Sequence, residues 1–293
     1  MSNLNIDQYK VKPGQPVDLS TFETGIDLES IREAEIEERL KENTEKLQEM
    51  QQRLLAEEKQ GVIFALQALD AAGKDEAVRY LFSRLSAQAL HTTSFDKPTE
   101  EDLKHDFLWR LHDAMPERGM IGVFNRSHYE ELVAARVYET HKEEPLPESI
   151  QKDPEIWQKR YEDVRHFEEY LANNGFHMVK IYLHVSKDIQ KERLLDRIEN
   201  PDKNWEFSMS DLEDRKHWDE HMDAFEAAFQ HTSTESSPWF VVPADHGDYG
   251  RLVISEILLR KLEKLDPKYP ELSEEEKEEF EQAAEDLRAG KYD

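Results

Sequence analysis

The sequence of 293 residues contains no cysteine. Disulfide bonds are therefore excluded, no thiolate is available as a nucleophile or metal ligand, and nothing indicates a secreted protein. The sequence has no apolar run that approaches the roughly 20 residues needed to cross a bilayer. Its first residues also lack the apolar core of a signal peptide. We therefore expect a soluble, cytoplasmic protein that does not act at a membrane.

Basic residues are scarce as well. The chain has 38 lysines and arginines against 65 aspartates and glutamates, which gives a formal net charge of −27. Such a charge repels polyanions at long range and argues against a general nucleic-acid-binding protein. The middle of the chain nevertheless keeps several cations. Either they converge on a positive pocket inside a negative shell, or they lie scattered over the surface.

Residues 61–79 join a strand-length apolar run to a turn of small residues. Residues 62–69 are almost entirely apolar, as is typical of a strand buried on both faces. The turn that follows reads Asp70-Ala71-Ala72-Gly73-Lys74, and helical character resumes after it. The backbone N–H groups of such a turn and the N-terminus of the next helix favour a phosphate group.

This turn departs from the usual phosphate-loop pattern, GxxxxGK followed by Ser or Thr. Ala68 replaces the first glycine, and Asp75 stands where the hydroxyl residue is expected. The alternative is therefore a plain strand-to-helix turn with a surface lysine.

Strands and helices alternate along the chain, which predicts a doubly wound parallel α/β sheet. The predicted strands are 62–69, 120–124, 177–185 and 238–244. The predicted helices include 27–59, 106–115, 130–138, 157–173, 186–198, 211–230 and 251–265. We expect residues 1–27 to be an extended surface arm, 91–101 an irregular polar stretch and the acidic end of the chain a solvated helical tail.

Polar side chains follow the first two predicted strands. Asp70 comes after the first, and Asn125 and Arg126 come after the second. Ligands of open α/β sheets bind at these carboxyl ends of the strands. Arg193 and Arg197 lie one helical turn apart, in a helix, irregular loop and helix that resemble a lid. These parts indicate phosphoryl transfer, in which Asp70 is either a magnesium ligand or a cap of the turn.

Five segments are distinctive when taken together. They are LDAAGKD at 69–75, DFLWR at 106–110, FNRSHYE at 124–130, NPDKNW at 200–205 and TSTESSPWFVVPAD at 232–245. As a set they resemble polyphosphate kinase family 2, over about residues 8–259. The resemblance implies a thymidylate-kinase-like P-loop fold: a three-layer sandwich with a parallel sheet, a helical lid and helical N- and C-terminal extensions. It also implies reversible transfer of the terminal phosphate of inorganic polyphosphate to AMP or ADP, with magnesium (manganese as a substitute) as cofactor.

The resemblance assigns roles to individual residues. The catalytic residues it implies are Asp70, Lys74, Asn125 and Arg126, with Asp70 and Asn125 as metal ligands. The substrate-binding residues that we predict are Ala71, Ala72, Gly73, Asp75, Arg110, Arg136, Arg193, Arg197 and Lys203. Asparagine at position 125 resembles the branch that accepts both AMP and ADP, and a neutral amide repels an incoming phosphate less than a carboxylate does.

Three positions depart from the family pattern, namely Glu76, Glu206 and His246-Gly247. All three reduce positive charge or loop freedom near the expected phosphate path. The alternatives are an ATP-dependent nucleotide kinase of the same fold and an inactive protein that binds nucleotides or polyanions. We expect an N-terminal arm and helix (1–59), a kinase domain (60–262, lid about 190–222), an acidic tail (263–293) and a homodimer or homotetramer.

Overall fold

A five-stranded parallel sheet forms the centre of the protein in the computed structural model, which describes residues 4–27 and 32–292. The strands are β1 (Gly61–Gln67), β2 (Leu90–Ser94), β3 (Ile121–Asn125), β4 (Phe176–His184) and β5 (Trp239–Pro243). They lie in the order β2-β3-β1-β4-β5. The chain fills one side of β1 first and then crosses to the other. The sheet therefore has a switch point beside β1, where doubly wound folds bind their ligands.

Helices cover both faces of the sheet. They are α1 (Glu33–Glu57), α2 (Lys74–Phe82), α3 (Trp109–Asp113), α4 (Ala134–Val137), α5 (Glu148–Gln151), α6 (Ile156–Asn173), α7 (Lys187–Glu199), α8 (Met209–Lys216), α9 (Trp218–Thr232), α10 (Gly247–Leu265) and α11 (Glu274–Arg288). None of the helices in the described ranges has the length and apolar character of a membrane span.

The alternating side chains of β1 explain this layering. All seven residues of β1 are buried, as predicted for a strand covered on both sides. Phe64 belongs to the main core and contacts Phe82 of α2 edge to face, with 5.1 Å between ring centroids. Ile63, its neighbour, points the other way into a second core that includes Leu171 of α6. The three-layer α/β sandwich expected from the sequence is thus confirmed.

The N-terminal segments pack onto this sandwich. A stripe of α1 is buried, and the side chain of Asn43 on α1 donates a hydrogen bond to Ser255 of α10 at 3.0 Å. The arm before α1 is not confined to the surface as expected, because Val11 is buried and its N–H donates to the carbonyl of Trp239 at 2.9 Å. The arm therefore covers the edge strand β5. The predicted start of the helix, residues 28–31, lies outside the described residues.

Four predicted elements differ from the structure, one of them the helix predicted over 130–138, of which only the four residues of α4 are α-helical. Residues 90–94 form the edge strand β2, which overlaps the polar stretch expected from residue 91. None of its side chains is fully buried, and its sequence LHTTS is mostly polar, so the sequence does not indicate its pairing with β3. The helix predicted over 106–115 is reduced to the five residues of α3. The helix predicted over 211–230 is broken at His217 into α8 and α9.

Candidate active site

A cavity of about 1030 Å³ lies at the carboxyl end of the sheet, between the turn after β1 and the predicted lid. The loops after β1, β3 and β5 and the helices α7 and α8 all contribute to its wall. The structure brings eleven of the predicted site residues to this cavity: Asp70, Ala71, Ala72, Gly73, Lys74, Asp75, Asn125, Arg126, Arg193, Arg197 and Lys203.

The turn after β1 has the backbone conformation of a phosphate loop. Gly73 has φ of +97°, a left-handed value that favours glycine, and Ala71 also has a positive φ of +60°. Lys74, the first residue of α2, is buried. Its ammonium nitrogen donates hydrogen bonds to the carbonyls of Ala68 at 2.8 Å and Leu69 at 3.1 Å. The lysine is therefore held against its own loop and is not a surface residue.

Asp70 forms a compact charge cluster with two cations. Its Oδ1 lies 2.7 Å from an Nη atom of Arg126 and 3.7 Å from Nζ of Lys74. Burial alone would raise the pKa of Asp70, but Lys74 and Arg126 outweigh burial and lower this pKa to about 2. Burial has the larger effect on the Lys74 ammonium and lowers its pKa, although Asp70 opposes the shift. The carboxylate therefore stays ionised throughout the neutral range.

The residue after Asn125 is held in a strained conformation. Arg126 has φ of +63°, which is uncommon for a residue with a side chain. Its N–H donates to the carbonyl of Leu66 at 3.0 Å, and Ser127, which follows it, is fully buried. This anchored backbone directs the guanidinium group of Arg126 toward Asp70. Strain of this kind is typical of functional sites, where the surrounding structure stabilises it.

Asn125 carries an unused ligand atom. Its amide nitrogen donates to Asp75, and its side-chain oxygen is buried without a hydrogen-bond partner among the described residues. Asn125 pairs with Leu66 of the neighbouring strand, so it lies close to the end of β1 where Asp70 follows. Carboxylate and amide oxygens suit magnesium, which commonly takes one or two protein ligands together with phosphates and waters. Asp70 and Asn125 fit this chemistry.

The described residues contain no group of three or more His, Asp or Glu side chains that could hold a metal by themselves.

The lid contributes cations of two kinds. The guanidinium group of Arg193 donates to four backbone carbonyls, those of residues 71, 72, 244 and 245, at 2.7–3.3 Å. Arg193 thus ties the phosphate loop to the segment after β5. Arg197 and Lys203 contact carboxylates instead: Arg197 lies 3.5 Å from Glu206, and Lys203 lies 2.5 Å from Asp196. The guanidinium group of Arg197 also donates to one backbone carbonyl, that of Glu206 at 3.3 Å, so it has fewer backbone contacts than Arg193 to exchange for phosphate.

Two predicted residues do not line the cavity. Arg110 donates to the carbonyl of Asp96 at 2.8 Å and lies 3.2 Å from Glu131, whose pKa burial raises to about 7. Arg136 donates to the hydroxyl of Tyr161 at 2.7 Å. Of the cations that we expected to converge, Arg126 and Arg197 line the cavity, whereas Arg136 does not. The substrate-binding roles of Arg110 and Arg136 stay predictions.

Sequence reasoning missed other residues of the wall. Arg251 of α10 lines the cavity and contacts Glu76 at 2.9 Å and Asp248. The sequence signal for this residue was its position in the first turns of α10, the helix that follows β5 and its loop. Glu76 and Glu206 also line the cavity, so two of the three departures from the family pattern place carboxylates there. In the third departure, Gly247 lines the cavity, whereas His246 contacts the carbonyl of Ile26 outside the wall.

Comparisons with known proteins agree with this arrangement. Residues 30–270 match the family described as Polyphosphate kinase 2 (PPK2). The chain is 41% identical over 281 residues to the ADP-polyphosphate phosphotransferase of Rhodopseudomonas palustris, with 96% of this chain and 97% of the relative covered. It is also 41% identical over 264 residues to the AMP/ADP-polyphosphate phosphotransferase of Meiothermus ruber, with 90% and 92% covered.

A solved structure is similar as well. The crystal structure of polyphosphate kinase 2 from Arthrobacter aurescens TC1 has a TM-score of 0.78 at 35% identity, over 88% of this chain and 90% of that one. The family match and the two relatives cover nearly the whole chain, and they confirm the resemblance found in the five sequence segments. The chain therefore belongs to the polyphosphate kinase 2 family.

Proposed function

We propose that the protein transfers the terminal phosphate of inorganic polyphosphate to ADP and AMP, reversibly and with magnesium. The observation that carries this proposal is the cluster of Asp70, Lys74 and Arg126 at the end of β1, inside a cavity whose opposite wall presents the lid cations Arg197 and Lys203. Such a cavity has cations for two phosphate-bearing substrates. The names of the relatives from Rhodopseudomonas palustris and Meiothermus ruber support polyphosphate as the donor.

The residues of the site act by positioning and by neutralising charge. The backbone N–H groups of the turn 70–74 and the ammonium group of Lys74 hold phosphate oxygens, and Arg126 stabilises the charge that develops on the transferred group. Asp70 orients Lys74 and Arg126 through the contacts described above. Asp70 and Asn125 would hold a magnesium ion, which would supply further neutralisation of the phosphate oxygens. No general base is required, because the attacking phosphate oxygen is already ionised at neutral pH.

Acceptance of both AMP and ADP rests on Asn125. The side chain of Asn125 is uncharged, and its nitrogen donates to Asp75. Its oxygen would therefore be available to a metal ion, and it repels a phosphate less than a carboxylate would. Successive phosphorylation from AMP to ATP follows from this. We also propose that the protein is cytoplasmic and forms a homodimer or homotetramer, in line with the family resemblance.

The test is a set of parallel incubations with magnesium, polyphosphate and one of AMP, ADP, GMP or GDP, followed by chromatography of the products. We expect ADP and ATP from AMP, and ATP from ADP. The variant Lys74→Ala is the control for contaminating activity. If AMP is converted only when ATP replaces polyphosphate as the donor, the protein is an ATP-dependent kinase instead. Calorimetric binding of ADP without any product, with both donors supplied, would show a binding protein.

A further inference from the structure

Arg197 of the lid is held by two carboxylates that differ in how firmly they are fixed. Its Nε lies 3.5 Å from Glu206, and one of its Nη atoms lies 3.6 Å from Asp211. The same Nη atom also donates to the backbone carbonyl of Glu206 at 3.3 Å. All three residues line the cavity. The guanidinium group that faces the expected phosphate path is thus already paired before any substrate binds.

Asp211 is built into the lid. Its side chain is only 7% exposed, and it accepts a hydrogen bond from the N–H of Ser208 as part of the capping box that begins α8. Moving this carboxylate away would leave the N–H of Ser208 without its acceptor and would remove the Asp211 half of the capping box. Asp211 therefore remains where it is when the cavity fills.

Glu206 is different because its carboxylate has no such structural task. Its side chain is 37% exposed and, among the described residues, forms an ion pair with Arg197 only, although its charge also acts on Lys203. The backbone beneath it is well anchored, because the side chain of Asn204 donates to the carbonyls of Arg197 and Ile198 at 2.7 and 2.8 Å. The loop thus presents the Glu206 carboxylate to Arg197, while the carboxylate itself is free to rotate into solvent.

We propose that Glu206 is a displaceable counter-charge that sets the affinity for polyphosphate: a phosphate oxygen replaces the Glu206 carboxylate as the partner of Arg197. This inference rests on the proposed function and goes beyond it, because it identifies one residue of the lid as a determinant of polyphosphate affinity. Binding must break the contact between Glu206 and Arg197 and must place a polyanion near the displaced carboxylate. Both effects weaken polyphosphate binding, and Glu206 is a specificity-determining residue, not a catalytic one.

The variant Glu206→Gln tests the proposal. It keeps the size of the side chain and removes its charge, so we expect both Kd and KM for polyphosphate to fall about two- to fivefold, the contribution of a partly exposed ion pair. The KM for ADP is expected to stay the same, which a general change in lid structure would not produce. Glu213→Gln is the matched control: it makes the same charge change on the lid, at an exposed residue outside the cavity wall.

A double variant shows whether the effect passes through Arg197. In the background of Arg197→Gln, the change Glu206→Gln is expected to give less than half of its effect on Kd, since the cation it competes for is gone. The proposal is overturned by an unchanged or higher Kd in Glu206→Gln, by an equal gain in Glu213→Gln, or by a gain that persists in full without Arg197. Kd is measured by calorimetry with magnesium and polyphosphate, so the result stands even if the wild-type protein shows no transfer, which would refute the proposed function alone.

Discussion

Replacing Asp70 by asparagine removes one charge from the buried cluster at the end of β1. Lys74 and Arg126 outweigh the effect of burial and lower the pKa of Asp70 from 3.8 to about 2. One pKa unit corresponds to about 1.4 kcal/mol, so this shift corresponds to roughly 2 kcal/mol of folding free energy. The figure is of this order because the side chain is only 17% exposed and weakly screened by solvent.

The sign of this contribution follows from linkage. A carboxyl group whose pKa is lower in the folded protein stabilises it above the unfolded value near 4, and the stabilisation is lost as the pH falls through 2. We therefore expect Asp70→Asn to lower the free energy of unfolding by about 2 kcal/mol at pH 7, but by only about half as much at pH 3. Phosphate transfer is expected to fall at least about 100-fold, because the variant loses the negative charge of the proposed metal ligand and of the partner of two cations.

Urea unfolding at pH 7 and pH 3 measures the stability term, and the chromatographic assay measures transfer. Asp223→Asn is the control, since it makes the same substitution at an exposed position of α9. Equal stability of Asp70→Asn and wild type at pH 7 would refute the electrostatic reasoning, and so would a difference that does not shrink at pH 3. Near-normal transfer would refute the role assigned to Asp70.

Two further predictions concern buried lysines. Lys74→Ala is expected to abolish transfer while circular dichroism and the cooperative unfolding transition remain those of a folded protein; retained transfer would contradict its phosphate-binding role. Lys180→Met leaves Glu168, its partner at 2.6 Å, as an uncompensated buried charge, and we expect a loss of about 3–5 kcal/mol in urea unfolding. Combining Lys180→Met with Glu168→Gln should recover part of that loss, and a double variant less stable than the single one would show that the buried ion pair is not the cause.

The phosphate loop could be predicted from sequence because its geometry is local. An apolar strand, a turn of small residues and a lysine at the start of a helix determine where the N–H groups point, whatever the distant chain does. The structure agrees: Gly73 has the positive φ that such a turn requires, and Lys74 lies against it. The missing first glycine did not matter, because Ala68 precedes the turn and is buried next to the strand.

The orientation of the cations could not be predicted, because it depends on packing between distant segments. Arg193 and Arg197 share one helix face, but their partners differ. The guanidinium group of Arg193 donates to backbone carbonyls, whereas that of Arg197 forms ion pairs with carboxylates that line the cavity. Arg136 lies on the short helix α4, and its side chain donates a hydrogen bond to Tyr161 of α6. This contact joins residues that are far apart in sequence. The strand β2 was missed for a related reason, since an edge strand with one exposed face lacks the apolar run that marks a buried one.

The charges of the cavity explain how a chain with a net charge of −27 can bind a polyanion. Seven acidic and seven basic side chains line the wall, so the site is locally neutral within a negative protein. Long-range attraction therefore does not draw polyphosphate in, and charges farther away than about 8 Å are largely screened at physiological salt. Binding depends instead on an exchange of partners at short range: phosphate oxygens replace carboxylates as the acceptors of the guanidinium groups. A carboxylate that is mostly shielded from solvent and paired with two cations, as Asp70 is, resists this exchange, whereas Glu206, which is more exposed and paired with Arg197, yields to it.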